Sequence, residues 1–324
     1  MNYDELSAAI QSYVENQFPT TYLADGTAVS PTAQINTFIR QAEQRIYNTV
    51  QFASLRKNVT GLTAAYNPVS NPKAMYLNCP DDFLAVYAFA VIDQNGGYEY
   101  LLNKEVNFIR QAYPHPSDTG IPKYYALFGP TVVSSNVTNE LSFLLGPTPD
   151  DSYEVELHYY YYPTSIIRAP IDTFGTVTTG SGYTNGVYYD VPLTGGTGSD
   201  ATANITVTGG AVSYIEPVNR GCLYSIGDTL TTAASNIGVG GSGFSVPVSA
   251  VVNPTGTSWL GNNFSSVLLY GALVEAYTYM KGEADMVALY NKKYEEAMTL
   301  AKRLGDGMER QDSYRSRQYR QPVF

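Results

Sequence analysis

Residues 257–304 read TSWLGNNFSSVLLYGALVEAYTYMKGEADMVALYNKKYEEAMTLAKRL, and their periodicity decides what the rest of the chain must do. From Phe264 to Met280 the apolar residues Val267, Leu268, Leu269, Tyr270, Ala272, Leu273, Val274, Ala276 and Tyr277 run round almost the whole circumference of a helix. Such a helix has to be covered on most sides. Gly282 breaks the pattern. A second, amphipathic helix follows, with Val287, Tyr290, Tyr294, Met298 and Ala301 on one face and Glu283, Lys292, Lys293, Glu295 and Lys302 on the other. The closing stretch GDGMERQDSYRSRQYRQPVF has no apolar period and is expected to end the helical pair near 310 and to form an extended arm over 311–324.

The cover for that pair comes first from the other end of the chain. Leu6, Ile10, Tyr13, Val14 and Phe18 share a helical face, with Asn2 and Glu5 spaced as a capping box, which predicts a helix from Tyr3 to about Gln17. Ser30-Pro31 supplies an N-cap and a first-turn proline for a second helix carrying Ile35, Phe38, Ile39, Ala42, Ile46 and Val50. From Arg56 to Pro163 the period becomes that of strands, broken at Asn67-Pro68, Asn71-Pro72, Asn95-Gly96-Gly97 and Gly146-Pro147, with a short helix expected over Lys104–Ala112. Asn95-Gly96-Gly97 predicts a hairpin turn, because Asn and Gly tolerate the positive φ it needs.

The clearest strand is Tyr153–Tyr162. Val155, Leu157, Tyr159 and Tyr161 point one way, and Glu154, Glu156, His158, Tyr160 and Tyr162 the other. An aromatic face of that kind is costly to leave wet, so His158, Tyr160 and Tyr162 are candidates for a subunit or partner contact; the other reading is a solvated sheet surface.

Between Thr173 and Thr257 the composition changes. Of the 28 glycines, 16 fall there, against five charged residues, Asp190, Asp200, Glu216, Arg220 and Asp228. Runs such as VYYDVPL, ATANITVTG, AVSYIEPV, DTLTTAA and FSVPVSAV alternate with Gly-rich turns and predict an all-β insertion. The fold expected is therefore α+β: N-terminal helices and a C-terminal helical pair packed with an antiparallel β region, residues 1–172 plus 258–310, interrupted by a small all-β domain at 173–257.

A chain of 324 residues with 44% hydrophobic side chains can build a real core. Its net charge of −10 argues against gripping nucleic-acid phosphates. No segment approaches the ~18 uninterrupted apolar residues that span a bilayer, and the N-terminus has no signal-peptide pattern, so a soluble protein without a membrane is expected. Cys79 and Cys222 are read as two reduced thiols. The two histidines, His115 and His158, lack partners at metal-ligand or triad spacing, Asp81-Asp82 and Asp150-Asp151 suit turns, and Gly238–Gly243 lacks the Lys-Ser/Thr ending of a phosphate loop. No cofactor, no metal and no enzyme activity are expected.

The helical stretch resembles the C-terminal signature of the head-to-tail connector (adaptor) proteins of tailed bacteriophages. Trp259-Leu260 leads into Leu268–Leu273, containing Tyr270 and Gly271, with Glu275-Ala276; a charged turn, Lys281–Asp285, precedes a helix centred on Tyr294. CPDDFLAVYAF (79–89), GIPKYYALFGPTVV (120–133) and LLGPTPDDSYEVELHYYYYPTSI (144–166) are similar to the family's strand elements in the same order. The Gly-rich insertion lies outside this likeness and resembles β-modules of phage virion proteins. The resemblance implies a ring of identical subunits, usually dodecameric, that docks under the portal protein with helices and a terminal arm. It implies β-structure presented to a tail nozzle, tail tube or tail terminator protein, and a place in the virion neck after assembly in the host cytoplasm.

A closed ring needs two complementary surfaces per subunit, which tyrosine-rich faces suit. Acidic walls would let viral DNA slide through without specific binding. In the C-terminal arm Tyr314, Arg315, Arg317, Tyr319 and Arg320 are candidates for portal docking, with a frayed terminus as the other reading. The competing function is a tail-fibre or baseplate protein that recognises host polysaccharide by stacking sugars on Tyr183, Tyr188, Tyr189, Tyr214 and Tyr224 of the insertion.

Overall fold

A computed structural model of the chain describes residues 1–22, 28–50, 52–80, 82–129, 131–133, 136–139 and 141–318; over 131–133, 136–139 and 304–318, and at residue 53, it gives the backbone alone. Residues cluster into two compact units, Met1–Val50 with Thr164–Phe324, and Gln51–Pro163. This division cuts the expected 1–172 body at Val50 and Pro163 and groups the Gly-rich insertion with the helices.

In the first unit α1 (Tyr3–Val14) starts at the predicted capping box, with Asn2 accepting from the Glu5 N–H. It ends three residues earlier than expected, at a left-handed Glu15. Asn16 then accepts from the Phe18 N–H and aims the Phe18 ring into the core, and Pro19 disfavours helix at the residue before it. A short ribbon, β1 (Thr21–Tyr22) with β2 (Ala28–Val29), leads to α2 (Pro31–Thr49), capped by Ser30.

The second unit is a two-layer sandwich. One sheet has the order β3-β12-β5-β6, from β3 (Arg56–Leu62), β5 (Phe83–Ile92), β6 (Tyr98–Tyr100) and β12 (Glu154–Tyr161). The other has the order β4-β11-β8-β7, from β4 (Tyr76–Asn78), β7 (Leu102–Asn103), β8 (Tyr124–Phe128) and β11 (Ser142–Gly146). Every pairing is antiparallel except β7 with β8. Phe89, Val91, Val155, Leu157 and Tyr159 of the first sheet meet Tyr125, Phe143 and Leu145 of the second. The back of the second sheet is covered by α3 (Val106–Ala112), whose Ile109 joins Met75, Ala126 and Leu144. The predicted turn at Asn95–Gly97 closes through Asp93, with Gly96 at φ +80°. A separate ribbon pairs β9 (Thr131–Val133) with β10 (Asn136–Asn139).

The insertion, back in the first unit, is a second small sandwich. Its sheets are β13-β19-β14, with β18 also on β19, and β15-β16-β17: β13 (Ile171–Phe174), β14 (Thr178–Ser181), β15 (Gly186–Pro192), β16 (Ser199–Thr208), β17 (Ala211–Cys222), β18 (Thr229–Leu230) and β19 (Ser242–Val251). Ile171, Val191, Ala203, Ile205, Val212, Phe244, Val246 and Val248 form its core.

Trp259 opens a short helix, α4 (Trp259–Asn263), and α5 (Ser265–Tyr279) is buried on most sides, as its sequence requires. It packs against α1, α2 and the last helix. That last helix corrects the expected extended arm over residues 311–318: α6 runs from Ala284 to Gln318, and 319–324 lie outside the described residues. Residues 305–318 hold three Arg, two Gln, one Met, one Glu and no proline, so a helix already nucleated upstream meets no block, although Gly305 and Gly307 cost about 1 kcal/mol each.

Candidate functional site

The tyrosine strand β12 lies second in its sheet, between β3 and β5, and register fixes what shares its outer face. Glu154 lies opposite Leu62 and Ile92, Glu156 opposite Thr60 and Ala90, and His158 opposite Asn58 and Ala88. Tyr98 and Tyr100 of β6 extend the same face beyond Ile92 and Ala90. Glu156 accepts from Asn58 Nδ2 at 2.7 Å and pairs with His158 Nε2 at 2.9 Å. A hydrogen bond from Tyr98 is the largest cause of its lowered carboxyl pKa, and the same bond raises the Tyr98 hydroxyl.

The three expected contact residues of this strand part company. His158 is half-buried and held by Glu156, and Tyr162 is exposed just past the strand end. Tyr160 is instead buried within its own chain, at 8% exposure, which removes it as a contact residue. The Arg56 guanidinium donates to the Tyr160 hydroxyl at 2.7 Å and lies 3.9 Å over the Tyr87 ring, which packs edge-on against Tyr160. Register shifts on either side of Tyr159 and Tyr160 bring Tyr87 into this cluster and leave Tyr161 half-buried, under the Lys57 ammonium at 4.0 Å. The exposed aromatics of the face are therefore Tyr87, Tyr98, Tyr100 and Tyr162, of which strand alternation singled out Tyr162 alone.

The insertion sorts its tyrosines the same way. Tyr183 and Tyr224 are core residues, not sugar-stacking platforms: the Phe244 N–H donates to the Tyr183 hydroxyl at 3.0 Å, and the Tyr224 N–H pairs with Ala169. Tyr188 packs against the same core. Tyr189 and Tyr214 are exposed, at 75% and 58%. Both belong to the solvent side of β15-β16-β17, where Val187, Thr206 and Tyr214 lie in one register row and Asn204 and Glu216 in the next. One end of that face opens into a cleft of about 770 Å³ shared with α2 and the 164–170 segment.

The signature residues of the helical stretch are packing residues. Leu260 is fully buried and Trp259 packs on Phe264 at 5.4 Å. Gly271 marks the place where α5 meets α2 and α6: a Cβ there would sit 3.2 Å from both Ala42 and Tyr294. Tyr294 is buried beneath the Arg45 guanidinium, and Tyr270 stacks on Tyr290. Tyr314, Arg315 and Arg317 fall on the backbone of α6, while Tyr319 and Arg320 lie outside the described residues.

One charged group inside the first unit escaped the sequence reading. Glu43 of α2 is 5% exposed and accepts from the Ile166 N–H at 2.9 Å; burial pushes its carboxyl up to about 7, against hydrogen bonds from Ser165 and Ile166 and the charge of Arg40. Its signal was its spacing, four residues after the buried Ile39 and three before the buried Ile46, on a helix that also buries the polar Gln34 and Asn36.

The remaining residues singled out in the sequence lie exposed or take part in local packing. His115 is exposed, and its backbone N–H is held by Asp118. Asp82 accepts from the Tyr159 hydroxyl and Asp150 from the Tyr153 hydroxyl, so both serve sheet packing; Asp81 lies outside the described residues. Neither Cys79 nor Cys222 is in a disulfide, and both are buried. Among the described residues no three His, Cys, Asp or Glu side chains converge as metal ligands, and no helix is long and apolar enough to cross a membrane.

Residues 1–180 match the SU10 adaptor protein family, a span that takes in α1, α2 and all of Gln51–Pro163 and reaches into the insertion. The helical stretch after Trp259 lies outside that span. No curated protein matches the chain.

Proposed function

We propose, starting from the fact that the chain belongs to the SU10 adaptor protein family, that it closes with copies of itself into a ring, a dodecamer, between the portal and the tail of a tailed phage. Family membership makes it a structural adaptor associated with the phage particle and contacting other head or tail proteins, and such families are typically non-enzymatic. The ring would sit in the virion neck after assembly in the host cytoplasm. Its partners would be the portal protein on one side and a tail nozzle, tail tube or tail terminator protein on the other.

The observation that carries this reading is the outer face of β3-β12-β5-β6. Leu62, Tyr87, Tyr98, Tyr100 and Tyr162 are all exposed there, around a Glu156–His158–Asn58 network that leaves the rings as the surface. Exposed aromatics on this scale suit a head-to-tail subunit contact, since tyrosine covers much area for little side-chain entropy. The second support is α6, which continues about 25 Å beyond Ala301, a length suited to reach a portal groove with Tyr314, Arg315 and Arg317. Net charge −10 suits a channel that lets DNA pass without holding its phosphates.

Native mass spectrometry and negative-stain imaging of the purified chain, alone and with isolated portal, test the reading. One closed ring size that docks on the portal is expected, with docking lost and the ring kept on deletion of Ser313–Phe324. A chain that stays monomeric beside the portal and is missing from the neck of the assembled particle would overturn it.

A further inference from the structure

We infer that the solvent face of β15-β16-β17, with the cleft it opens into, is a binding site for an oligosaccharide. Tyr189 on β15 and Tyr214 on β17 flank the middle strand β16, so their backbones stand about 12 Å apart, two strand spacings across and about two residues along. Two successive sugar rings span a comparable distance. Between the tyrosines lies a polar floor of Asn204 and Thr206, with Glu216 beside it.

These groups have capacity to spare. Asn204 spends its carbonyl on the Asp190 N–H at 3.1 Å, and no partner of its amide N–H groups is found among the described residues. The Glu216 carboxylate and the Tyr189 and Tyr214 hydroxyls likewise have no hydrogen bond or ion pair among the described residues. Toward the α2 end the face becomes one wall of the 770 Å³ cleft, where Asp190, Thr202, Val218 and Asn219 face Arg40 of α2. Aromatic rims leading into a concave floor of amides, hydroxyls and carboxylates make the chemistry of a hydroxyl-rich ligand, whose apolar ring faces stack on tyrosine while its hydroxyls donate and accept.

Other occupants fit less well. An apolar protein surface lying on the face would bury Glu216 without a cation, which is costly, whereas sugar hydroxyls donate to a carboxylate without a charge of their own. A nucleic acid would meet Glu216, Asp190 and Asp200, against which the site sets Arg40 and an Arg220 already paired with Asp172. The site belongs to the insertion and needs no ring closure. In a ring, however, repeated copies would turn weak single sites into tight attachment to a repeating polysaccharide.

The test is the full chain on an array of purified bacterial O-chain and capsular polysaccharides, followed by titration of the best binder. Retention of at least one polysaccharide is expected, with affinity at least tenfold weaker in Tyr189→Ala/Tyr214→Ala and mostly kept in Tyr189→Phe/Tyr214→Phe. The tyrosines are exposed, so both double variants should keep the thermal midpoint and the assembly state of the parent. Retention of no polysaccharide by the parent chain, or undiminished binding by the double alanine variant, would defeat the inference, whatever the outcome of the ring experiment.

Discussion

Replacing Glu43 by Gln should abolish a pH dependence of stability that belongs to this one side chain. In the folded chain its carboxyl titrates at about 7, against 4.5 for an exposed glutamate, because burial opposes the charged form. The folded state therefore holds a proton that the unfolded state has released at every pH between those values. Stability is greatest, for this group, at pH 4.5 and below; it falls as pH rises through the window and is flat above about 7. At roughly 1.4 kcal/mol per pH unit, the loss across the window is about 3 kcal/mol. Glutamine keeps an oxygen to accept from the Ile166 N–H at no charge, so Glu43→Gln should match the parent near pH 5 and exceed it at pH 8, by about 3 kcal/mol less the cost of its amide donors, about 1 kcal/mol.

Urea titration followed by the fluorescence of Trp259, the single tryptophan, reads this directly, since Trp259 and Glu43 lie in the same compact unit. Subtracting variant from parent at each pH removes whatever the other groups contribute. The lowered carboxyls of Glu156 and Asp228 act in the opposite sense and at lower pH, where stability is lost as acid protonates them, so measurements from pH 5 to 8 keep clear of both. A parent-minus-variant difference that stays constant over that range would refute the argument.

Four further substitutions test other links. Phe143→Ala should cost about 3–5 kcal/mol in denaturant titration monitored by near-ultraviolet dichroism, because Phe143 is fully buried and its ring lies against Phe83, Phe89 and Tyr125. Gly221 has φ +58°, and a Cβ there would meet the Ser199 carbonyl at 2.3 Å, so Gly221→Ala should lower the stability of the insertion by about 2 kcal/mol or more, visible as faster amide exchange in β16 and β17. Gly271→Val pushes a branched side chain between Ala42 and Tyr294 and should cost about 2–3 kcal/mol by the Trp259 readout. Arg56→Lys loses the planar stack on Tyr87 while keeping the charge, and a loss of about 1 kcal/mol in thermal unfolding is expected; no change would mean that charge alone holds the cluster.

Local rules carried the elements that depend on neighbours in sequence. Asn2 and Glu5, Ser30 and Pro31, and the all-round apolar surface of α5 each specify a helix or its end, and alternation specified β12 and the strands of the insertion. What alternation could not carry was the fate of individual tyrosines. Tyr160 is claimed by Arg56, 104 residues earlier, and Tyr183 by the backbone of Phe244, 61 residues later, and neither pairing leaves a trace in the local pattern. The ends of α1 and α6 differ from expectation for opposite reasons: a left-handed residue stopped one early, and a nucleated helix with no proline in its path carried the other on. Glu43 hid because a single acid on a polar-looking helix reads as solvated unless its spacing to Ile39 is weighed.

A composition rich in tyrosine suggested contact surfaces, and burial divides that suggestion into separable parts. Tyr3, Tyr153, Tyr159, Tyr160, Tyr183 and Tyr224 hold the chain to itself, and the hydroxyls of the first three donate to Asn36, Asp150 and Asp82. Exposed rings gather on two sheet faces, Tyr87, Tyr98 and Tyr100 in Gln51–Pro163 and Tyr189 and Tyr214 in the insertion. The first face surrounds its rings with a closed polar network, so its remaining capacity is area, which suits another protein surface. The second keeps unpaired donors and acceptors between its rings, so its capacity is directional, which suits a ligand rich in hydroxyls. Since the two sets lie in different compact units and share no residue, variants in one should leave the function of the other intact, and each assignment can fail alone.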